Sequence, residues 1–264
     1  MKRKRRMIAL TRPVSPSIVR CELTHLARES IDFGLAVGQH GEYESVLADL
    51  GCDVRRLPAE PDLPDSVFVE DAAIVLDECA IITRPGAQSR RPETPSVAAA
   101  LEAYRSLLHR IEEPGTLDGG DLLTVGRTIY AGLSSRSDAG VIEQLRFAAG
   151  RYGYRVKPVA VSRCLHLKSA ATRVGPGTLL VNRRWVDASL FGEMELIDVD
   201  PAEPMAANAL LVGGSVVYPA AFPLTRERLE KRGILVRTVD LTELAKAEGA
   251  ATCCSLIFRE LSGG

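Results

Sequence analysis

A short pattern of strands repeats along this chain at intervals of roughly 45 residues, a spacing typical of propellers and other repeat proteins. Each copy begins with a polar residue, continues into a short apolar strand, turns, and returns in a second apolar strand. The repeat constrains the fold because one copy cannot bury its apolar side chains and must pack against its neighbours. The copies begin at Glu70-Asp71, Asp118 to Asp121, His166, Asn208 and Cys253.

Each strand pair is followed by a helix-like segment and a further strand. The pairs read AAIVL and AIIT, LLTV and TIYAG, SAATRV and TLLV, and ALLV and SVVYP. Apolar side chains three or four apart predict helices in 97–111, 42–50, 141–152 and 225–232, with the weakest helical pattern in the third and fourth units. The trailing strands are DVRRL, RIEEP, YRVKPVAV, ELIDV and ILVRTV. The predicted unit is therefore strand, strand, helix, strand (ββαβ).

The fifth copy is divided between the two ends of the chain. Its first strand, SLIF, follows Cys253, and its partner is predicted to be MIALT, from Met7 to Thr11. Pairing these strands closes the ring and removes exposed sheet edges. We therefore predict an α/β fold, a five-bladed propeller formed by a single domain of residues 7–264, with residues 1–6 as a basic, disordered tail. The polar residues that begin the copies would then surround one central opening.

Charge and composition exclude several classes of function. The net charge is −1, and the concentrated basic run lies at Lys2 to Arg6, so we expect no nucleic-acid partner. No apolar stretch approaches the roughly 20 residues of a membrane helix, so we expect no membrane partner. The six cysteines include no CxxC pair, which favours free thiols and a cytoplasmic location.

Cys253, His166 and Asp118 occupy matching positions in three copies. A histidine beside a cysteine favours the thiolate and can protonate a leaving amine, and an acid can orient the imidazole. Taken singly, each has a plainer interpretation: a buried core thiol, a hydrogen-bonded strand residue, and a turn in the run TLDGGD. Their equivalent positions favour a shared site.

The segment LPDSVFVED has acids around an aromatic residue, with Asp65, Phe68, Glu70 and Asp71 as its members of interest. Carboxylates and an aromatic ring suit a flat cation such as guanidinium, although a solvated acidic loop is the alternative. Arg90 and Arg136 lie in equivalent loops after the first and second hairpins. Two converging arginines can bind a carboxylate, whereas surface arginines are the commoner case. Together these residues describe a ligand such as arginine or its N-methylated forms.

The chain closely resembles the dimethylarginine dimethylaminohydrolase family of the guanidine-modifying superfamily, which has the pentein fold. The motifs that carry the resemblance run almost from end to end. They are LPDSVFVEDAAIV, IITRPGAQSRRPET, PGTLDGGDLL, the LSSR loop, LHLKS and GAATCCSL.

The resemblance implies a role for each candidate residue. Cys253, not its neighbour Cys254, would be the nucleophile, with His166 as general acid and base and Asp118 as the supporting acid. The implied substrate contacts are Asp71 for the guanidinium, Asp65 for the α-amino group, Arg90 and Arg136 for the α-carboxylate, and Phe68 and Glu70 as lining of the pocket. Leu23 would belong to a mobile lid, the carbonyl of Ala247 would accept from the α-amino group, and Thr252 would add a contact beside the nucleophile.

The implied reaction is hydrolysis of N-methylated L-arginines to L-citrulline and methylamine or dimethylamine through a covalent thiouronium intermediate. It requires no metal or organic cofactor, although Zn²⁺ at Cys253 and His166 would inhibit. Arginine deiminase, an amidinotransferase and a non-catalytic arginine-binding protein are the alternatives, and we expect a monomer or homodimer. The absence of a long helical run outside the repeat argues against the deiminase.

Overall fold

Fifteen strands form five three-stranded sheets in the computed structural model, which describes residues 6–260. The predicted ring of five units is confirmed. The sheet that closes the ring contains β1 (Met7–Thr11), β2 (Cys52–Arg56) and β15 (Leu256–Arg259). The others contain β3 (Ala73–Val75), β4 (Ala80–Ile82) and β5 (Leu108–Arg110); β6 (Leu122–Val125), β7 (Thr128–Leu133) and β8 (Arg155–Ala160); β9 (Ala171–Arg173), β10 (Thr178–Val181) and β11 (Glu195–Asp198); and β12 (Leu210–Val212), β13 (Ser215–Pro219) and β14 (Leu235–Val239).

Every sheet has the same topology, in which the central strand is antiparallel to one neighbour and parallel to the other. In the closing sheet, Ala9 of β1 pairs with Ile257 of β15 and with Val54 of β2. The predicted pairing of the N-terminal and C-terminal strands is therefore confirmed, and it gives the central strand a partner on both edges.

Six α-helices connect or flank the strands in residues 6–260. They are α1 (Phe33–Asp49), α2 (Thr94–Leu101), α3 (Val141–Gly150), α4 (Leu167–Ala170), α5 (Pro223–Lys231) and α6 (Thr242–Ala245). The predicted helix 97–111 was wrong at its end, because Leu108 belongs to β5. In the third unit, a 3-10 helix, Ala188–Phe191, lies where the other units have an α-helix.

The core lies between neighbouring sheets, so both faces of each sheet are covered. In β4, Ile81 packs in a cluster with Ile129 of the next sheet. Its neighbours Ala80 and Ile82 face the other way and pack with Leu10 of the closing sheet. Because successive side chains of a strand point to opposite faces, one short apolar strand contributes to two interfaces.

Most of the predicted N-terminal tail, residues 1–5, lies outside the described residues. Arg6 accepts a backbone hydrogen bond from Glu260 at 2.9 Å through its carbonyl oxygen, and its guanidinium pairs with Asp53 at 2.9 Å. Within residues 6–260, no helix has the length and apolar character needed to cross a membrane.

Candidate active site

The polar residues that begin the units are buried next to one another. Three short turns position them: 3-10 helices at Val69–Ala72 and Gly119–Asp121, and α4, which His166 precedes. The backbone N–H of Glu70 donates to the carbonyl of Cys253 at 3.1 Å, which links the first and fifth units. The chain therefore brings residues from remote segments into one site, as the repeat predicted.

His166 lies between two buried acids. Its Nε2 is 3.0 Å from an oxygen of Asp118, and its Nδ1 is 3.9 Å from an oxygen of Asp71. Burial alone would lower the pKa of His166, but the negative charges of Asp71, Asp121 and Asp118 and the Asp118 hydrogen bond raise it to about 9. The imidazole is therefore cationic at neutral pH and able to donate a proton.

Gly120 is required for this close packing. A Cβ at this position would lie 2.5 Å from Nδ1 of His166 and 2.9 Å from an oxygen of Asp71, closer than side-chain atoms approach. Its backbone N–H also donates to Asp71 at 2.9 Å. A glycine at this point in the run TLDGGD therefore lets the backbone bind one acid and leaves room for the histidine.

Cys253 lines the cavity, whereas Cys254 lies in the core with its sulfur 3.7 Å from the carbonyl of Ala250. Burial raises the pKa of the Cys253 thiol, and the nearby charges of Glu70 and Asp71 raise it further. A cation placed beside the sulfur would oppose these effects and favour the thiolate.

Asp71 and Arg90 form a buried ion pair with a 2.6 Å contact. Burial alone would raise the pKa of Asp71, but the positive charges of His166 and Arg90 lower it to about 2. Glu93 binds the same guanidinium with both carboxylate oxygens, at 3.1 and 2.9 Å. Asp71 is thus a carboxylate held in its charged form. Glu93, within the motif RRPET, is a partner that the sequence analysis missed.

Arg136 is buried and lines the same cavity. Its Nη2 donates to the hydroxyl of Thr24 at 2.9 Å, while its Nη1 is buried and lacks a hydrogen-bond partner among residues 6–260. A buried donor without a partner is costly unless a ligand satisfies it. Arg136 is therefore prepared to bind an acceptor such as a carboxylate.

A loop formed by residues 22–26 closes one side of the cavity. The N–H of Glu22 donates to Asp65 at 3.1 Å. The next three amides, those of Thr24, His25 and Leu26, all donate to the carboxylate of Glu248, at 3.0, 2.5 and 2.8 Å. Leu23, between these contacts, packs against the apolar cluster that contains Phe68.

Most of the candidate residues line one small cavity. Of the predicted set, Asp65, Phe68, Asp71, Arg90, Arg136, His166, Ala247 and Cys253 line it. Four further residues that were not predicted from the sequence also line it: Glu22, Leu165, Glu248 and Gly249. Gly249 packs against the Phe68 ring so closely that a Cβ there would clash with it, which fixes the aromatic wall.

Four predicted residues lie outside the lining. Asp118 is behind His166, and Leu23 is in the apolar cluster beside the loop. Glu70, expected to line the pocket, lies behind it, where Lys168 and the hydroxyl of Thr252 each donate to it at 2.6 Å. Glu70 and Thr252 thus lie outside the lining of the cavity, and their contacts with a substrate stay a prediction.

Asp71, Asp118 and His166 bring their ligand atoms within 4.8 Å of one another, and this is the group of described residues with metal-binding spacing. Cys253 is not in this group. Inhibition by zinc at Cys253 and His166 therefore stays a prediction, and the acids would share such a site with the histidine.

A five-bladed α/β propeller with a buried cysteine, a cationic histidine and acids at its axis defines the pentein class of guanidine-modifying enzymes. The family model described as N,N dimethylarginine dimethylhydrolase, eukaryotic, matches residues 25–181. The chain is 42% identical over 255 residues to an N(G),N(G)-dimethylarginine dimethylaminohydrolase of Streptomyces coelicolor, covering 96% of this chain and 97% of the relative.

A second relative, the enzyme of the same name from Pseudomonas aeruginosa, is 36% identical over 236 residues, covering 89% of this chain and 92% of its own. A solved structure of a cysteine-to-serine mutant of the Pseudomonas enzyme, complexed with citrulline, matches with a TM-score of 0.90 and 34% identity, covering 95% of this chain and 98% of that one. This chain belongs to the dimethylarginine dimethylaminohydrolase family.

Proposed function

We propose that this protein hydrolyses N-methylated L-arginines, asymmetric dimethylarginine and monomethylarginine, to L-citrulline and dimethylamine or methylamine. One observation carries the proposal: a single cavity contains a thiol, a cationic imidazole and the charged carboxylate of Asp71. The thiol can attack the cationic guanidinium carbon while the imidazolium acts as the acid. Asp71 is suited to bind the guanidinium. Membership of the family supports this function.

Substrate recognition follows from the charges that line the cavity. We propose that Asp71 binds the guanidinium and that Asp65 and the carbonyl of Ala247 bind the α-amino group. Arg136 would bind the α-carboxylate through its free Nη1. Arg90 would assist, but it is already bound to Asp71 and Glu93, so we assign the larger share of carboxylate binding to Arg136.

In the first half-reaction, the substrate cation lies beside Cys253 and favours its thiolate, and the thiol proton is released to solvent. The sulfur forms a bond to the guanidinium carbon, and His166 transfers its proton to the methylated nitrogen. The C–N bond then breaks and the neutral amine leaves, which produces a thiouronium bound to Cys253. Asp118 holds the imidazole in place throughout.

In the second half-reaction, water attacks the thiouronium carbon while His166, now neutral, accepts a proton from it. The C–S bond breaks as the remaining hydroxyl proton of the tetrahedral intermediate passes to the departing sulfur. Citrulline leaves, and the thiol of Cys253 and the imidazolium of His166 return. The two half-reactions use side chains and water alone. One molecule of water is consumed for each citrulline and amine released.

The deciding experiment compares three substrates: asymmetric dimethylarginine, monomethylarginine and arginine. Citrulline should form from the methylated substrates with an equal amount of the methylated amine. Preferred release of ammonia from arginine would indicate a deiminase instead. Transfer of the amidino group to an added amine would indicate an amidinotransferase, and binding without product would indicate a non-catalytic arginine-binding protein.

Arg136→Ala should raise KM for asymmetric dimethylarginine by roughly 10- to 100-fold and change kcat less, because a charge-assisted hydrogen bond to the α-carboxylate is lost. The measurement is steady-state citrulline or amine release. The control is a methylated guanidine without the carboxylate: the wild-type protein should discriminate against it, and Arg136→Ala should do so much less. Equal discrimination by both proteins would place the carboxylate elsewhere.

The rate should fall as pH rises through about 9, because His166 must be protonated to release the amine. Since the folded-state pKa is raised above its ordinary value, the acid remains available through neutral pH and is lost only on the alkaline side. A pH profile of the single-turnover rate of amine release measures this limb. A decline that begins near pH 6.5 would contradict the assigned role of the surrounding acids.

We further propose a cytoplasmic location and a monomer or homodimer built from one catalytic domain. The six cysteines are all free, which is usual in a reducing compartment. Light scattering of the purified protein at several concentrations distinguishes one chain from two.

A further inference from the structure

Asp121 is a fully buried carboxylate that the proposed mechanism does not use. It ends the 3-10 helix Gly119–Asp121, which follows Asp118 directly. One of its oxygens accepts the backbone N–H of Leu167 at 2.8 Å. The other accepts the hydroxyls of Ser134 and Ser137, at 2.6 and 2.7 Å. These three donors bind a charge that would otherwise be very costly to bury.

Each of the two serine hydroxyls also accepts a hydrogen bond from the backbone N–H of a residue in the site. The hydroxyl of Ser137 accepts the backbone N–H of Asp118 at 3.0 Å. The hydroxyl of Ser134 accepts the backbone N–H of Arg136 at 3.0 Å. The carboxylate of Asp121 is therefore linked through Ser137 to Asp118, which lies behind His166. Through Ser134 it is linked to Arg136, the proposed substrate-binding residue.

The third contact fixes His166 itself. Leu167, whose N–H binds Asp121, is the next residue in the chain after His166. The strand that leads to the serines also approaches very closely, since a Cβ on Gly132 would lie 2.8 Å from Cβ of Leu167. The loop with Arg136, the turn with Asp118 and the helix after His166 thus meet at Asp121.

We propose that Asp121 is a positioning residue that fixes His166, Asp118 and Arg136 relative to one another through Leu167, Ser137 and Ser134. This inference rests on the proposed function for the roles of those three residues. It adds a separate effect of charge, because the negative charges of Asp71, Asp118 and Asp121 each raise the pKa of His166.

The two serines distinguish the branch to Arg136 from the branch to Asp118, and the hydroxyl of Ser134 also accepts the backbone N–H of Ser137 at 3.3 Å. Ser134→Ala should act on Arg136 and raise KM roughly threefold to tenfold with little change in kcat. Ser137→Ala should act on Asp118 and lower kcat by a similar factor with little change in KM. Ser189→Ala is the matched control, since its hydroxyl donates to Asp187 at 2.7 Å on the surface, away from the cavity lining. Neither parameter should change in the control.

Asp121→Asn keeps the shape of the side chain and removes its charge. It should lower kcat/KM roughly 100-fold and shift the pKa of His166 downward from about 9. NMR titration of the histidine ring carbons measures this shift, with the His166 signal assigned by its absence in His166→Asn. Side-chain loss that acted only on stability would leave the titration unchanged.

The positioning role is overturned if both serine variants match Ser189→Ala in KM and kcat, and the charge effect is overturned if Asp121→Asn leaves the His166 titration unchanged. Should Asp121→Asn fail to fold, the serine pair decides alone. The NMR titration and the binding of citrulline by the serine variants need no turnover. A wild-type chain inactive on methylarginines would therefore refute the proposed function while these measurements still test the positioning role.

Discussion

Serine in place of Cys253 should lower citrulline formation from asymmetric dimethylarginine by roughly 10⁴-fold or more, the scale of removing a catalytic nucleophile. The reason is twofold. A hydroxyl is a much weaker nucleophile than a thiolate near neutral pH, and His166 is already protonated, so it cannot act as a base for serine. The measurement is initial-rate citrulline formation, with the amine followed in parallel.

Cys254→Ala is the matched control for this variant. Its sulfur lies in the core rather than in the cavity, so the change should cost about 1 kcal/mol of folding free energy and leave kcat within a few-fold of wild type. Cys253→Ser should still bind citrulline, because the lining is otherwise intact. Undiminished turnover by Cys253→Ser, or complete loss of turnover in a folded Cys254→Ala, would show that Cys253 is not the nucleophile.

The sequence predicted the ring because its short apolar strands are punctuated by polar starts and turns, and these are local signals. The prediction of secondary structure was wrong where a helical spacing of apolar residues continues into a strand. Val97, Leu101, Tyr104 and Leu108 keep a helical spacing although the helix ends at Leu101 and Leu108 belongs to a strand. The spacing of apolar residues alone does not show that the helix ends before Leu108.

The start of α1 illustrates a second limit. The helix begins at Phe33, with Asp32 as its cap accepting the N–H of Leu35 at 2.9 Å, whereas the sequence indicated residues 42–50. The first turns place Phe33, Leu35 and Val37 partly in solvent, with 39%, 49% and 45% of their surface exposed. Apolar residues on the outer face hide the periodicity that would otherwise mark the helix.

Some residues of the site could be predicted from the sequence and others could not. Cys253, His166, Asp118 and Asp71 could be found because they hold equivalent positions in a repeat. Glu248 could not be found, because its partners in residues 24–26 lie at the other end of the chain and meet it only after the ring closes. Long-range polar contacts of this kind leave no periodic signal in a sequence.

Asp71→Asn should lower kcat/KM for asymmetric dimethylarginine by roughly 30- to 3,000-fold, the range expected for truncating one partner of a buried charge pair. Asp71 binds Arg90, the N–H of Gly120 and, through charge, His166. The amide retains the shape but not the charge, so it should bind a guanidinium poorly and lower the pKa of His166. Arg90 keeps its two bonds to Glu93, which should preserve the fold.

The charge of the ligand gives the sharpest test of this prediction. Methylarginine carries a cationic guanidinium, whereas citrulline carries a neutral ureido group of similar shape. Asp71→Asn should therefore weaken the binding of a methylarginine far more than the binding of citrulline, as measured by calorimetry with the Cys253→Ser background to prevent turnover. Asp187→Asn, an exposed acid that caps a surface turn, is the control and should change neither affinity. Equal losses for both ligands would mean that Asp71 shapes the cavity without recognising the cation.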